Sequence, residues 1–208
     1  MKSLVLLAGC GLGDGSCIEE AILTYLALEK YNCPYQIVAV DMQAASINHI
    51  TENTEGDRNV LVESARIGRG MIQNLNSVHA EDFDCLIIPG GIGLLNNYGN
   101  SSAVRDLVMY FSEHNKPIAT MCAGIDFLRR LMGNEVLRKE YETLTPTSYC
   151  CDTKRNLFYT PAFRMTRSLC DVQKGIDYMI ENLVLISNKE QINGYPFSEY
   201  SNSKCASI

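Results

Sequence analysis

No run of lysine and arginine occurs in this 208-residue chain, and its 18 basic residues are outnumbered by 24 acidic ones, for a formal net charge of −6. Nucleic acid and anionic membranes both require a concentrated basic surface, so neither is expected as a partner. No C-x-x-C spacing occurs among the nine cysteines. Cys150 and Cys151 are adjacent, and a disulfide between neighbours is strained. Other cysteines, such as Cys85 within Phe83-Asp84-Cys85-Leu86-Ile87-Ile88, sit in apolar runs where they behave as small buried hydrophobes. A reducing compartment without structural zinc follows, and no metal or other cofactor is expected. Long hydrophobic runs are also missing. The N-terminal run that ends in Gly9-Cys10-Gly11 is far too short to span a bilayer and reads as a buried first strand rather than a signal peptide. The expected location is cytoplasmic. The final Cys205-Ala-Ser-Ile fits a prenylation box only nominally, because its third position is polar and no basic segment precedes it.

Hydrophobic residues make up 46% of the chain, enough for one substantial core, and no internal repeat or low-complexity linker divides it. One domain is expected over residues 1–187, followed by a polar, loosely held tail over 188–208. Short apolar runs recur at Leu4–Ala8, Gln36–Val40, Cys85–Ile88 and Pro117–Met121, as in strands buried on both faces of a parallel sheet. Between them the period changes. Ile18, Ala21, Ile22, Tyr25 and Leu26 share one helix face, and Ser16 with Glu19 forms a capping-box pattern ahead of it. Further helices are predicted at Asn59–Ile72, Ala103–His114 and Val172–Ile186. The alternation implies an α/β fold, a doubly wound sandwich with a mainly parallel central sheet.

The chemistry concentrates where an apolar strand runs into Cys122, with Thr120 two residues before it and Gly124 two after. A nucleophile elbow needs that arrangement, because the tight turn brings the flanking backbones together. The helix that follows aims its amides and positive dipole end at the sulfur, which should lower the thiol pKa. A buried structural cysteine in a βα turn is the plain alternative. Pro89-Gly90-Gly91-Ile92-Gly93 follows the Cys85–Ile88 strand and should lie beside Cys122, so that the Gly91 and Ala123 amides could form an oxyanion hole. Gly9-Cys10-Gly11-Leu12-Gly13-Asp14-Gly15 superficially resembles a phosphate loop, but neither the dinucleotide spacing nor a Walker A pair is present. Glu19 and Glu20 lie in the first helical turn, and one carboxylate at this edge could hydrogen-bond the Cys122 sulfur and relay its proton; complementing the helix dipole is the plain reading for Glu19, which already serves the capping box. The three histidines, His49, His79 and His114, all precede Cys122, and only His49 follows a strand on the side that could approach it.

Gly9-Cys-Gly-x-x-Asp14-Gly-Ser16, Pro89-Gly-Gly and Thr120-Met-Cys122 resemble the ThiJ/PfpI superfamily, with its class I glutamine amidotransferase-like fold. Ile47-Asn48-His49, the block Arg58–Arg66 and Gly70 look like its ElbB branch of isoprenoid-biosynthesis or glyoxalase-like proteins. Tyr159–Phe163 and Gly175–Asp177 extend the resemblance, which spans roughly residues 1–187 in order. It implies a flavodoxin-like sandwich, usually a homodimer, with Cys122 as nucleophile, Glu20 as its carboxylate partner and Gly91 and Ala123 as oxyanion amides. His49, Arg58 and Asp14, within the matching segments, are the expected lining of a substrate pocket. Superfamily proteases carry a histidine directly after the cysteine, where Ala123 stands here, and amidotransferases need one downstream, where none exists. Neither activity is expected as self-contained chemistry, and a glutaminase subunit completed by another chain is a distant third reading. The histidine that several glyoxalase relatives carry on the strand after the elbow is missing too. The resemblance implies a glutathione-independent glyoxalase-like enzyme converting small dicarbonyls, such as methylglyoxal, to 2-hydroxy acids. The alternative is a non-catalytic, redox-responsive or partner-binding protein with an oxidisable cysteine.

Overall fold

The computed structural model describes residues 1–137 and 144–193. The apolar runs become the centre of one sheet: β1 (Ser3–Leu6), β2 (Tyr35–Ala39), β6 (Cys85–Ile88) and β7 (Ile118–Met121). With β5 (Ile72–Asn74), β8 (Cys150–Asp152) and β9 (Leu157–Thr160) they form seven strands in the order β5-β2-β1-β6-β7-β9-β8. Every pair is parallel except β8–β9. A separate antiparallel hairpin joins β3 (Gln43–Ile47) to β4 (Thr54–Asn59). This is a flavodoxin-like α/β sandwich.

Successive residues along a strand point to opposite faces, so each central strand feeds two cores. Leu4, Leu6, Leu86, Ile88 and Ile118 pack with residues of α3 (Gly93–Tyr98), α4 (Ser102–Glu113) and α5 (Gly124–Met132). Val5, Leu7, Ile87, Ala119 and Met121 pack with α1 (Ile18–Lys30) and α6 (Leu169–Asn193). Among the described residues, no helix is long and apolar enough to cross a membrane.

Four local expectations need correction. Ser16 does not cap α1; its hydroxyl accepts from the Ala8 amide at 2.9 Å, and Cys17 is the N-cap, without a side-chain bond. The α1 face is rotated: Glu20, Ala21, Thr24, Tyr25 and Leu28 are buried, while Ile18, Ile22 and Leu26 are exposed. The predicted helix over 59–72 divides into α2 (Val60–Ile67), a turn through Gly68 and Gly70, and β5, whose backbone pairs with β2. Finally, α6 continues past residue 187 to Asn193, into the expected tail. Residues 194–208, Cys205 included, lie outside the described residues.

Candidate active site

The strand order reverses between β1 and β6, and in open α/β sheets ligands bind outside the carboxyl ends of the strands at such a point. Four segments meet at that edge: 9–15 after β1, 89–93 after β6, the elbow after β7, and 161–164 after β9. Backbone bonds fasten them together. The Cys17 amide donates to Gly90 O at 2.7 Å, the Ile92 amide to Leu12 O at 2.8 Å, and the Cys122 amide to Thr160 O at 3.2 Å.

Cys122 sits at φ 48°, a left-handed conformation that a non-glycine residue adopts only where its surroundings impose it. Thr120 donates its hydroxyl to Ile88 O at 2.8 Å, and a Cβ on Gly124 would fall 1.8 Å from that hydroxyl oxygen. Tyr159 completes the support, its hydroxyl donating to Cys122 O at 3.2 Å. The elbow expected from the spacing is therefore formed.

Glu20 enters from the first turn of α1 with its carboxylate wholly buried. A Cβ on Gly90 would lie 2.4 Å from Glu20 Oε2 and 2.9 Å from Cys122 Cβ, so only glycine lets the carboxylate and the cysteine close around this position. The Gly90 amide, the Cys122 thiol and the Phe163 amide all face the carboxylate. None of them closes to the distance and angle of a full hydrogen bond. Burial pushes the Glu20 pKa up to about 7, against the partial stabilisation from those three donors. Burial likewise pushes the Cys122 thiol up to about 12, with the Glu20 carboxylate adding to the shift; the Ala123 amide and Arg164 oppose it. The lowered thiol pKa expected from the helix dipole is thus overturned by desolvation and a neighbouring carboxylate. The arrangement suits a thiol that transfers its proton to Glu20 as it attacks.

Ala123 is the N-cap of α5, its amide at the sulfur. Gly91 packs against the backbone of residues 15–17, where a Cβ would come within 2.2 Å of Gly15 O. The glycine amide turned towards Glu20 is that of Gly90.

The three expected pocket residues gather around the 9–15 loop and Cys10. Asp14 accepts from the Ile47 amide through Oδ2 at 2.7 Å. His49 Nε2 accepts from the Leu12 and Gly13 amides at 3.0 and 3.1 Å, and its Nδ1 lies 3.0 Å from Ile47 O. With Nε2 accepting from the two amides, Nδ1 is the nitrogen placed to donate to Ile47 O. Asp14 Oδ1 stands 3.6 Å from Nε2. Arg58 pairs with Glu63 at 3.6 Å and lines a shallow cleft with Cys10 and Asp14. Asp14 and His49 thus hold the loop in shape. Sequence reasoning missed Gly90 as the separator of the pair, and it missed Phe163 and Arg164. The segment Tyr159–Phe163 carried part of the family resemblance, and a short β-type run leading into Pro161 was the available signal.

The mainly parallel sheet with a cysteine elbow at its carboxyl edge is the fold of the glutamine amidotransferase-like α/β proteins. Residues 12–147 match the DJ-1/PfpI family, and the chain belongs to it. It is 28% identical over 225 aligned residues to the human mitochondrial glutamine amidotransferase-like class 1 domain-containing protein 3, covering 89% of this chain and 83% of that one. An isoprenoid biosynthesis protein with an amidotransferase-like domain from Ehrlichia chaffeensis superposes with a TM-score of 0.81 at 28% identity, over 89% of this chain and 99% of the other. Drosophila melanogaster DJ-1beta shares the fold, with a TM-score of 0.56 at 17% identity, over 92% of this chain and 94% of that one.

Proposed function

We propose that this chain is a cysteine-dependent, glutathione-independent glyoxalase-like enzyme acting on small dicarbonyls. The observation that carries the reading is the Glu20 carboxylate, wholly buried and facing the Cys122 thiol. With a pKa near 7 it can both accept and return a proton at neutral pH. The Cys122 sulfur adds to the aldehyde carbon of methylglyoxal as its proton passes to Glu20, forming a hemithioacetal. The Gly91 and Ala123 amides stabilise the developing oxyanion. Glu20 then moves a proton from the former aldehyde carbon to its neighbour through an enediol, leaving the thioester of a 2-hydroxy acid. Water cleaves the thioester, releasing lactate and restoring the thiol, so one water is consumed and no oxidant is needed.

The test is lactate formation from methylglyoxal without glutathione. Turnover by the wild type, lost in both Cys122→Ser and Glu20→Gln, supports the reading; no turnover by wild type with its thiol reduced overturns it. A second reading, a redox-responsive or partner-binding protein, is favoured by the lack of any histidine after Cys122 and by the engagement of His49 Nε2 with the 9–15 loop and of Nδ1 with Ile47 O. It requires peroxide to modify Cys122 ahead of the other cysteines, and burial of the sulfur weighs against that. A homodimer also belongs to the proposal, to be tested by sedimentation. Because the human relative is named as mitochondrial, fractionation has to distinguish that organelle from the cytoplasm.

A further inference from the structure

The reaction just described leaves unused a charged pair beside the elbow. After β9 supplies Thr160 O to the Cys122 amide, the chain turns through Pro161 and Ala162, the latter at φ 47°. That turn carries the Phe163 amide to Glu20 and the Arg164 guanidinium to the Asp126 carboxylate, to which it donates from Nη2. Asp126 lies in the first turn of α5, four residues after Cys122, so the pair sits at the mouth of the elbow. Its side chains are 34% and 35% exposed, whereas Ala162 and the neighbouring Tyr159 are fully buried. Arg164 also makes the anionic sulfur more favourable, which places its charge within electrostatic reach of the reacting atom. Guanidinium and carboxylate match in shape and charge, and a partly exposed ion pair exchanges partners at small cost.

We infer that Arg164, held in place by Asp126, is the substrate-recognition residue of the Cys122 site, and that the site takes small 2-oxoaldehydes bearing a carboxylate. The substrate class rests on the glyoxalase-like reading; the recognition of an anion beside Cys122 does not. With 4,5-dioxopentanoate the same steps consume one water and yield 2-hydroxyglutarate, the distal carboxylate remaining on Arg164 throughout.

Two measurements separate the parts. The first is the rate of Cys122 alkylation by iodoacetate relative to iodoacetamide, followed by mass spectrometry of the Cys122 peptide. In each reaction an S–C bond forms, iodide leaves and the thiol proton goes to Glu20 or solvent, so thiol ionisation cancels in the ratio. Arg164→Gln should lower the ratio about tenfold, a loss on the scale of one charge-assisted contact, and Arg164→Lys should retain most of it. An unchanged ratio in Arg164→Gln, with circular dichroism showing a folded protein, overturns anion recognition whether or not the protein turns anything over. The second is kcat/KM for 4,5-dioxopentanoate relative to methylglyoxal. The wild type should favour the anion, and Arg164→Gln should lose that preference mainly through KM. A wild-type preference for methylglyoxal overturns the substrate class. If neither compound is turned over, the glyoxalase-like reading fails, and the alkylation ratio still decides the role of Arg164.

Discussion

At the scale of single residues, the contest at Cys122 is between a helix terminus and burial. A helix N-terminus favours a nearby anion by about 0.3–1 kcal/mol. Desolvation works against it here, and so does a carboxylate in the same pocket, and together they push the thiol up to about 12. Burial therefore wins, and it favours the thiol over the thiolate at neutral pH. In the proposed reaction proton transfer during attack supplies the reactivity, because Glu20 has its own pKa raised to about 7. Replacing Glu20 by Gln separates the two effects. The amide removes the charge that raises the thiol pKa, so the pH midpoint of Cys122 alkylation should move downwards. It also removes the proton acceptor, so turnover of methylglyoxal should fall on the order of a hundredfold or more. A midpoint that stays in place in Glu20→Gln would mean that the carboxylate and the sulfur are not coupled.

At the scale of elements, the elbow is a contact between the end of β7 and the start of α5. Because a Cβ at residue 124 would lie 1.8 Å from Thr120 Oγ1 but 3.1 Å from Thr120 Cβ, the obstruction is chiefly the hydroxyl. Gly124→Ala should destabilise the fold by roughly 2–4 kcal/mol, in the range of local overpacking and strain. Thr120→Ala alone should cost about 1 kcal/mol for its lost bond to Ile88 O. Combined, the two should be more stable than Gly124→Ala, a non-additivity that urea denaturation would read directly. If the double variant is no better than the single one, the elbow is not set by this contact. The 9–15 loop supplies a second test, since the Leu12 and Gly13 amides share one acceptor, His49 Nε2. His49→Ala should speed hydrogen exchange at those two amides about tenfold or more while leaving β1 amides protected. These elements differed in how legible they were. Central strands buried on both faces read as unbroken apolar runs. The β3–β4 hairpin did not: β4 is Thr-Glu-Gly-Asp-Arg-Asn, almost wholly exposed and, among the described residues, paired with β3 alone. The α1 face was misread because apolar spacing favoured Ile18, Ile22 and Leu26, whereas the helix turns Glu20 inward to meet Gly90 and Cys122.

At the scale of the whole molecule, the site is made by non-local strand pairing, and this determines what a sequence can disclose. Cys122 stands in a local pattern, the elbow, whereas the first turn of α1 offered Glu19 and Glu20 alike and the family resemblance pointed to Glu20. Asp126 and Arg164 become neighbours only because β9 pairs in parallel with β7, with β8 added antiparallel at the edge. No local periodicity encodes that adjacency. The same burial that makes Glu20 useful must also be carried by global stability. Its folded pKa, about 7, lies above its unfolded value of 4.5, so between those values the native state binds more protons than the unfolded chain. Its contribution is fully present below pH 4.5 and is lost as pH rises through about 7, where a buried charge must be accommodated. At roughly 1.36 kcal/mol per pKa unit, the loss is on the order of 3 kcal/mol for this wholly buried group. Glu20→Gln carries no titratable charge there. It should therefore be close to wild type in urea stability at pH 5 and more stable at pH 8, by up to about 3 kcal/mol. A wild type that gains stability relative to Glu20→Gln between pH 5 and 8 would reverse the sign, and would mean that the carboxylate finds better partners in its charged form than Gly90, Cys122 and Phe163 provide.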